Sequence, residues 1–501
     1  MLPNINDVVT VNELTEMNKA LRKSSKAGYQ DVSGVVDATA SLSPLIPQSI
    51  EATLASATHS MQDIALWPRI PKVQVSNTVH EYAVINEHGQ DLDPFMDESG
   101  GSSTAFGSTA SSYERKSVKI KYMAERRSVS DVASLVGIIG SNPNALAEET
   151  ERGTMSLLRK LESQLFYGDE HMRARGFDGI IKQIERQPGA AGARTFAAGG
   201  LPFSENQHDV AGGALEPTLL NEVLGELHSS PRFGRPDVIM CEPRIYSQLI
   251  KKSVQNGRHD SLMVSGLGSD GIQTFGAGPQ LHVMGPMGPV PVVSASFLAN
   301  KFAPPSAAAG LADRPSTPVA SVDLASQAQA SSFDAAGAAK DHDGFVKYVV
   351  VGYNQKGYSA PLTIDDGAAG GIEANNTVKL TFTLADGDEA EYYKIYRTKP
   401  AAAADQVDLS TAKLVYELPK AAGAVTPFED FGVERINGSR MLFMQMDQGV
   451  IEFARLLDFI RRPLAETGAA KEFLLMLFGS PIVKVPQKNF VLRNIVPETI
   501  F

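Results

Sequence analysis

Two stretches early in the chain alternate between hydrophobic and polar residues. One covers 72–86 and the other 117–124, and a polar segment rich in Ser, Gly and Thr, 97–112, separates them. Alternation with a period of two is typical of β-strands, and the small polar residues predict a turn. We therefore expect a long two-stranded hairpin, whose first arm could reach about 45 Å. Because a two-stranded ribbon is not stable by itself in water, the hairpin needs a partner, and a neighbouring subunit is the obvious candidate.

A helical period is clearest between 142 and 167. Asn142 can cap the helix, and Pro143 suits its first turn. Hydrophobic residues form one stripe and charged residues the opposite face; the stripe is Met155, Leu158, Leu161 and Leu165, and the charged residues are Arg152, Arg159, Lys160 and Glu162. A stripe this narrow predicts a strut of about 38 Å that packs on one side only.

Shorter patterns predict an α+β core around this helix. We expect helices over 47–67, 218–228 and 243–251, and a long helix through Val450, Phe453, Leu456 and Leu457. Short apolar runs predict strands at 236–241, 281–284 and 289–293, and a last strand pair at 481–485 and 490–495. The segment 186–214 is rich in Gly, Ala and Pro, so we interpret it as a surface loop.

The composition changes at Ala303. Residues 303–340 are rich in Ala, Ser and Pro, which is typical of a linker. Short strand patterns with turn residues between them follow, and they predict a β-sandwich inserted into the core; the predicted strands are 345–351, 378–383, 392–397 and 413–417.

Composition and charge narrow the class of protein. The 501 residues carry 57 acidic and 46 basic side chains, a formal net charge of −11, which disfavours tight binding to nucleic acid. A basic helix predicted at 10–27 is either a solvated face or an arm that lies on a neighbouring subunit or faces a polyanion. The single cysteine, Cys241, allows no internal disulfide. We see no secretory signal and no membrane-spanning run, so we expect synthesis in a cytoplasm.

No group of residues predicts catalysis. Gly266–Gly271 matches G-x-G-x-x-G, but a poor helix follows it, so we interpret it as a loop rather than a nucleotide site. Asp386–Glu389 has too few ligand positions for calcium and is interpreted as a hairpin turn. The histidines are scattered, and Cys241 ends an apolar strand, where packing is favoured over nucleophilic chemistry. We therefore predict a non-enzyme without catalytic, cofactor or metal residues; a nucleotide-dependent enzyme using the glycine loop is a minor alternative.

The order of these elements resembles that of tailed-phage major capsid proteins of the HK97 fold. The matching elements are an N-terminal arm, a helix entered at Leu45-Ile46-Pro47, an "E-loop" hairpin, a "spine" helix at 143–167, and axial and peripheral domains. The resemblance implies these boundaries: 1–69 arm and helix; 70–125 E-loop; 126–214 spine helix and peripheral domain; 215–302 axial domain; 303–436 linker and insertion; 437–501 return to the core.

The insertion separately resembles an immunoglobulin-like, fibronectin type III domain. Three segments carry this similarity: 349–361, Tyr393–Arg397 with its Tyr-x-Ile-Tyr-Arg pattern, and Phe428–Phe431. Domains of this kind occur as decorations on phage capsids, so the resemblance implies an HK97-like shell protein that carries an all-β immunoglobulin-like sandwich.

The two resemblances imply a shell subunit that self-assembles into an icosahedral phage head around double-stranded DNA. Its partners would be copies of itself in hexamers and pentamers, with scaffolding, portal and cement proteins as further candidates, no membrane, and only weak, non-specific contact with the packaged DNA. It would be assembled in the host cytoplasm and reside in the virion. The alternative is a phage tail protein or surface adhesin whose β-sandwich binds glycan.

Overall fold

The computed structural model shows a mixed α/β protein with few helices and many strands. It describes residues 58–89, 110–135, 144–170, 173, 175–185, 206–210, 213, 215–255, 281–299, 303–318, 325–328, 344–365, 372, 376–383, 390–401, 403–420, 425–432, 434–436, 438–465 and 468–496. The helices are α1 (Asp131–Leu135), α2 (Ala145–Tyr167), α3 (Ile180–Glu185), α4 (Pro217–His228) and α5 (Pro243–Gln255). The strands are β1 (Lys72–Gln74), β2 (Val79–Glu87), β3 (Ser112–Lys119), β4 (Lys121–Ser130), β5 (Gln207–Asp209), β6 (Val238–Cys241), β7 (His282–Gly285), β8 (Gly288–Ser294), β9 (Ala309–Gly310), β10 (Ala325–Ala328), β11 (Lys347–Asn354), β12 (Gly357–Tyr358), β13 (Leu362–Asp365), β14 (Asn376–Thr383), β15 (Tyr392–Arg397), β16 (Lys413–Pro419), β17 (Val425–Asp430), β18 (Ser439–Met444), β19 (Ile451–Pro463), β20 (Ala470–Val483) and β21 (Phe490–Ile495).

Helix α2 packs against a four-stranded sheet and contributes to the main core. The sheet has the order β1-β19-β20-β4. Leu157 packs on the sheet against Phe473 and Leu475, whereas Leu158 and Leu161 belong to the main cluster. The predicted helix is confirmed, but its buried face is wider than the predicted narrow stripe, because the neighbouring positions 157 and 158 are both buried.

The cap of α2 lies two residues later than the sequence predicted. Asn144 is the N-cap, and its Oδ1 accepts the backbone N–H of Leu146 at 2.9 Å. The side chain thereby satisfies one of the backbone donors that a helix leaves unpaired at its start. Asn142 lies outside the described residues.

A six-stranded sheet, in the order β5-β21-β18-β6-β8-β7, forms the other part of the core. The predicted strands at 236–241, 281–284 and 289–293 and the predicted helices at 218–228 and 243–251 are confirmed as β6, β7, β8, α4 and α5. The apolar side of the two helices packs with this sheet in one cluster, which includes Leu224, Ile245 and Phe443. Part of the predicted surface loop 186–214 is also sheet, since β5 pairs in parallel with β21.

The helix predicted through Val450 and Leu457 is wrong, because this segment is the long strand β19. Its register against β20 shifts between Arg455 and Leu457 and again between Leu457 and Ile460. Such bulges interrupt the period of two, and the apolar positions left at 450, 453, 456 and 457 imitate a helical stripe. Residues 451–454 are all buried, so both faces of this strand are covered.

The last two strands exist, but their predicted pairing is wrong. Residues 481–483 end β20, which pairs with β19 and β4. Strand β21 pairs instead with β18 and β5 in the six-stranded sheet. A single 3₁₀ turn, Pro486–Lys488, carries the chain from one sheet to the other. A short connection predicts a hairpin from sequence, and only the tertiary structure shows a change of sheet.

The insertion contains two antiparallel sheets that share one hydrophobic cluster, which we call the sandwich. One sheet has the order β10-β14-β17, and the other is β16-β15-β11-β12-β9 with β13 beside β11. Tyr348, Tyr393 and Ile395 from the larger sheet and Leu380 and Phe428 from the smaller one meet in this cluster.

The linker prediction for 303–340 is wrong at β9 and β10, which are strands of the sandwich. Ala309 and Gly310 pair with β12, and β10 pairs with β14. Backbone hydrogen bonds attach these residues to the sandwich, and an Ala- and Ser-rich composition gives no sign of such bonds.

Several other predicted elements lie wholly or mostly outside the described residues. The helix at 10–27, the N-terminal arm and most of the helix at 47–67 lie outside them; the described end of that last segment holds a 3₁₀ turn, Met61–Asp63, instead of an α-helix. The division of the chain into peripheral and axial domains at the boundaries given above stays a prediction.

Candidate assembly surface

Strands β2 and β3 form a two-stranded ribbon, which we call the arm. They pair antiparallel from Val79 opposite Lys119 to Glu87 opposite Ser112. The predicted hairpin is thus confirmed but shorter than expected, because Lys72–Gln74 and Lys121–Ser130 belong to the four-stranded sheet. Nine residues in β2 give a described length of about 30 Å. The predicted tip, 97–112, lies outside the described residues up to 109.

The two faces of the arm differ in burial. On one face Tyr82 and Val118 pack on a small cluster formed by Val75, Ile120, Ala454 and Ile482. On the opposite face Val79 is 41% exposed, Ile85 50% and Tyr113 69%. Ile85 and Tyr113 lie directly opposite each other across the two strands, so they form an exposed apolar pair on the distal half of the arm.

The base of the arm is fixed to the core by polar contacts. The Ser480 hydroxyl donates to the Lys119 carbonyl at 2.8 Å. At the same end, the Ile120 amide donates to the Thr78 carbonyl at 2.8 Å and closes the ribbon. His80 Nε2 lies 3.5 Å from the buried carboxylate of Glu452. A fixed base sets the direction of the arm, whereas Ile85 and Tyr113 on its distal half expose apolar surface that another molecule could cover.

Both outer edges of the arm are open in the part of the chain that the structure describes. Strands β2 and β3 pair only with each other there. Open strand edges present unpaired N–H and C=O groups, which readily pair with another chain. The arm therefore offers both an apolar face and two hydrogen-bonding edges.

Glu162 anchors the loop that precedes the arm. Its carboxylate accepts the backbone N–H groups of Ala65 at 3.0 Å, Leu66 at 2.6 Å and Trp67 at 2.9 Å. The side chain is fully buried; this burial raises the pKa of Glu162, and the three amide bonds oppose that rise. Glu162 was predicted on the charged face, but it lies four residues after Leu158 of the apolar stripe, and that spacing could have revealed it.

The sandwich is docked on the core by an arginine. Arg173 Nη2 donates to both carboxylate oxygens of Glu417, at 2.6 and 2.8 Å, and its guanidinium lies 4.4 Å from the centre of the Tyr392 ring. Lys394 Nζ is 3.0 Å from the same carboxylate. Burial would raise the pKa of Glu417, but the charges of Lys394 and Arg173 outweigh it and lower that pKa.

A second junction lies where the sandwich returns to the core. The Glu434 side chain accepts hydrogen bonds from Arg440 and Arg493 of the core sheet. The Glu434 carbonyl also accepts from Arg397 of the sandwich, which pairs with Asp430 at 2.6 Å. The connection is therefore a chain of ion pairs and hydrogen bonds that crosses from the sandwich to the core.

A cleft of about 1090 Å³ separates the sandwich from α2. Its lining contains seven basic residues and one acidic residue, Glu391; the basic ones are Lys121, Arg159, Lys160, Arg173, Arg175, Lys394 and Lys420. Tyr122, Phe177, Phe297 and Tyr392 add aromatic surface. This basic and aromatic lining stands out on a chain with a net charge of −11.

The candidate chemical sites contribute nothing to this surface. Gly266–Gly271 and Asp386–Glu389 lie outside the described residues. Cys241 is fully buried, and burial raises the pKa of its thiol to about 12, which confirms a packing role. Within the described ranges, no three His, Cys, Asp or Glu side chains are placed to hold a metal.

No helix in the described part of the chain is long and apolar enough to cross a membrane.

Comparison with known proteins gives similarity of structure only. No family model and no curated protein matches the chain. The holo-SrpI encapsulin complex of Synechococcus elongatus matches at 10% identity and a TM-score of 0.39, covering 95% of this chain and 98% of that one. The capsid of a native GTA particle matches at 12% and 0.40, covering 91% and 97%, and the capsid of cyanophage P-SCSP1u at 8% and 0.40, covering 93% and 98%. The chain is thus similar, at low identity, to capsid and encapsulin shell proteins.

Proposed function

We propose that this chain is the major shell protein of a tailed phage, which self-assembles into an icosahedral head enclosing double-stranded DNA. The observation that carries the proposal is the arm, a fixed two-stranded ribbon with an exposed apolar face and two open edges. A ribbon of this kind gains its stability from a further strand or surface. Copies of the same chain supply such a surface in a repeating way, and contacts between different patches on identical subunits form closed rings when the rotation between neighbours closes.

The charge of the chain agrees with a container for DNA. A net charge of −11 favours weak, non-specific contact with packaged DNA, which must be confined without being held tightly. Scaffolding, portal and cement proteins remain candidate partners. Assembly in the host cytoplasm is part of the same proposal.

We further propose that the sandwich is an immunoglobulin-like domain on the outer surface of the shell. Its two antiparallel sheets face each other across one buried cluster, which is the arrangement of an immunoglobulin-like sandwich. Its own buried cluster, with Tyr348 and Tyr393 fully buried, supports an independently folding unit. An outer position leaves the interior free for DNA.

The test removes the distal arm and keeps its base. Replacing 84–114 with a four-residue Gly-Ser turn retains Tyr82 and Val118, which pack on the core, and removes Ile85 and Tyr113. We expect a soluble subunit with unchanged melting temperature and at least a hundredfold fewer particles by sedimentation and electron microscopy. Ile85→Ser/Tyr113→Ser, a variant of full length, separates loss of the apolar face from loss of the strands.

Normal particles at normal yield from the shortened arm would contradict the proposal. Small oligomers of defined size from the unaltered protein, without closed shells, would favour the alternative of a tail protein or surface adhesin.

A further inference from the structure

We propose that the cleft between α2 and the sandwich binds a small phosphorylated ligand with two or more negative charges, and that this ligand joins the sandwich to the core. The inference concerns a single subunit and goes beyond the proposed shell function, so either one can fail without the other. It follows from the balance of charge in the cleft, from the two units that supply its basic residues, and from its size.

Five basic residues of the cleft share only three carboxylates among the described residues. The basic residues are Arg159, Lys160, Arg173, Arg175 and Lys394, and the carboxylates are those of Glu125, Glu391 and Glu417. Two of these positive charges are therefore left without a counter-charge of their own. Like charges held close together repel one another, and an anion bound between them removes that repulsion.

The shortage of negative charge includes the most buried cations of the cleft. Arg173 and Lys394 share the single carboxylate of Glu417, which lies 2.6 Å from Arg173 Nη2 and 3.0 Å from Lys394 Nζ. The buried Arg173 Nε–H has no hydrogen-bond acceptor in the described structure. Burial lowers the pKa of Lys394, and the charge of Arg173 adds to this effect against the opposing charge of Glu417. A second anion nearby would stabilise the charged form of this lysine.

Two further arginines of the cleft are accessible to a ligand. Arg159 on α2 is exposed and makes no ion pair with any residue that the structure describes. Arg175 is 63% exposed, and its pair with the half-exposed Glu391 contributes little to stability. The planar guanidinium group matches the oxygens of a phosphate and binds them through charge-assisted hydrogen bonds. Phosphate is therefore the anionic group that suits this lining.

The basic residues come from both sides of the cleft. Arg159 and Arg173 belong to the core, whereas Lys394 on β15 and Lys420, directly after β16, belong to the sandwich. Glu417 already pairs with a cation from each side. A bound anion would do the same, and because it binds only the docked arrangement, it stabilises that arrangement.

Size and overall charge favour a small ligand over a polymer. The cleft volume of about 1090 Å³ is near the upper end of the range of about 300–1,000 Å³ that is usual for small-molecule sites. The net charge of −11 opposes a long polyanion, whereas a compact anion responds mainly to charges within a Debye length of about 8 Å. Inorganic oligophosphates and nucleotides share this chemistry, and the 56% exposed Tyr122 ring could stack only on the base of a nucleotide.

Calorimetric titration of the complete protein tests the site, with tripolyphosphate and ATP as probes in magnesium-free buffer. Arg159→Gln/Arg175→Gln should weaken tripolyphosphate binding at least tenfold, and Lys420→Gln on the sandwich side at least threefold. The matched control, Arg115→Gln/Lys471→Gln, removes two exposed cations outside the cleft and should bind like the parent. Equal affinities for the two probes would identify the phosphate chain as the ligand, and tighter ATP binding that Tyr122→Ala abolishes would identify a nucleotide.

Hydrogen exchange tests whether the ligand joins the two units. Tripolyphosphate should slow exchange in β16 of the sandwich and in α2 of the core, and it should raise the melting temperature of the parent. Both effects should be at least halved in Arg159→Gln/Arg175→Gln, whose melting temperature without ligand should equal that of the parent. Protection confined to one of the two units would overturn the joining role.

Equal affinity of the parent and Arg159→Gln/Arg175→Gln for tripolyphosphate, or no binding at millimolar concentration, would overturn the site itself. A single-stranded oligonucleotide that binds at least tenfold more tightly than ATP through the same arginines would overturn the inference by showing a nucleic-acid groove. Loss of ligand binding leaves the proposed shell function intact, and a chain that binds the ligand but forms no shell refutes only the proposed function.

Discussion

The arm and the sandwich are both antiparallel β-structures, yet they differ in where their apolar side chains lie. In the sandwich Tyr348 and Tyr393 are fully buried between two sheets, whereas Tyr113 on the arm is 69% exposed. The sandwich has a second sheet to cover its apolar face, and the arm has none among the described residues. The difference indicates that the sandwich folds on its own core, while the arm depends on another molecule for its cover.

The contrast extends to charged residues. Arg397 in the sandwich is 1% exposed and paired with Asp430, which also accepts a hydrogen bond from the Tyr348 hydroxyl at 2.8 Å. Arg115 on the arm is 79% exposed and lies 3.5 Å from Glu81. Loss of one partner from a buried ion pair is strongly destabilising, whereas exposed ion pairs contribute little to stability. Matched substitutions of Arg397 and Arg115 therefore test whether the buried and the exposed pair differ in their contribution to stability.

The largest effect is expected from Arg397→Met. The substitution leaves Asp430 buried without its cation, and breaking a buried pair in this way costs about 3–5 kcal/mol. We expect the calorimetric unfolding transition of the sandwich to move to markedly lower temperature. Replacing both partners, in Arg397→Met/Asp430→Leu, should restore most of the loss because no unpaired charge remains buried.

The matched control is Arg115→Met on the arm. This substitution should change the free energy of unfolding of the protein by less than about 0.5 kcal/mol, as is usual for exposed positions. Equal losses from Arg397→Met and Arg115→Met would show that the two regions do not differ in the way described.

The sequence predicts elements better than the arrangement of those elements. Regular periodicity located α2, α4 and α5 and the apolar strands β6 and β8, since local spacing determines which face is buried. The bulges in β19 removed that regularity and produced a false helix. The strands β9 and β10 escaped prediction because backbone pairing holds them, and their composition resembles a linker.

The candidate surface was predicted only in part. Alternation predicted the arm, but it did not show that Arg173 meets Glu417, which is 244 positions away along the chain. The cleft likewise combines residues from α2, β4 and the sandwich. Contacts of this kind depend on tertiary placement, and no local pattern encodes them.

A smaller effect on assembly is expected when the whole sandwich is removed. Deleting 304–432 and joining the ends with a flexible linker retains Glu434, whose carboxylate pairs with Arg440 and Arg493 of the core. We expect particles at a yield within about threefold of normal, without surface protrusions, because the sandwich buries its own core.

A deletion that extends through 436 serves as the comparison and should destabilise the core by leaving Arg440 and Arg493 without the Glu434 carboxylate. A folded deletion of 304–432 that never forms shells, or sandwich density inside the particle, would contradict an outer, dispensable domain.

The smallest effect concerns the pH dependence of docking between the sandwich and the core. The charges of Lys394 and Arg173 hold the pKa of Glu417 below its ordinary value of 4.5, against the opposing effect of burial. A carboxyl whose pKa is lowered in the folded state stabilises that state fully above its unfolded pKa, and this stabilisation is lost as the pH falls through the folded pKa. We therefore expect docking through Arg173 to be constant from pH 7 down to about 5 and to weaken at pH values below 4.5.

Other carboxyl groups titrate in the same range, so the measurement is the difference in melting temperature between the parent and Glu417→Gln at each pH. That difference should be largest near pH 7 and shrink toward pH 3, because protonation makes the parent resemble the amide. A difference that stays constant over the whole range would show that the Glu417 charge does not stabilise the docked sandwich.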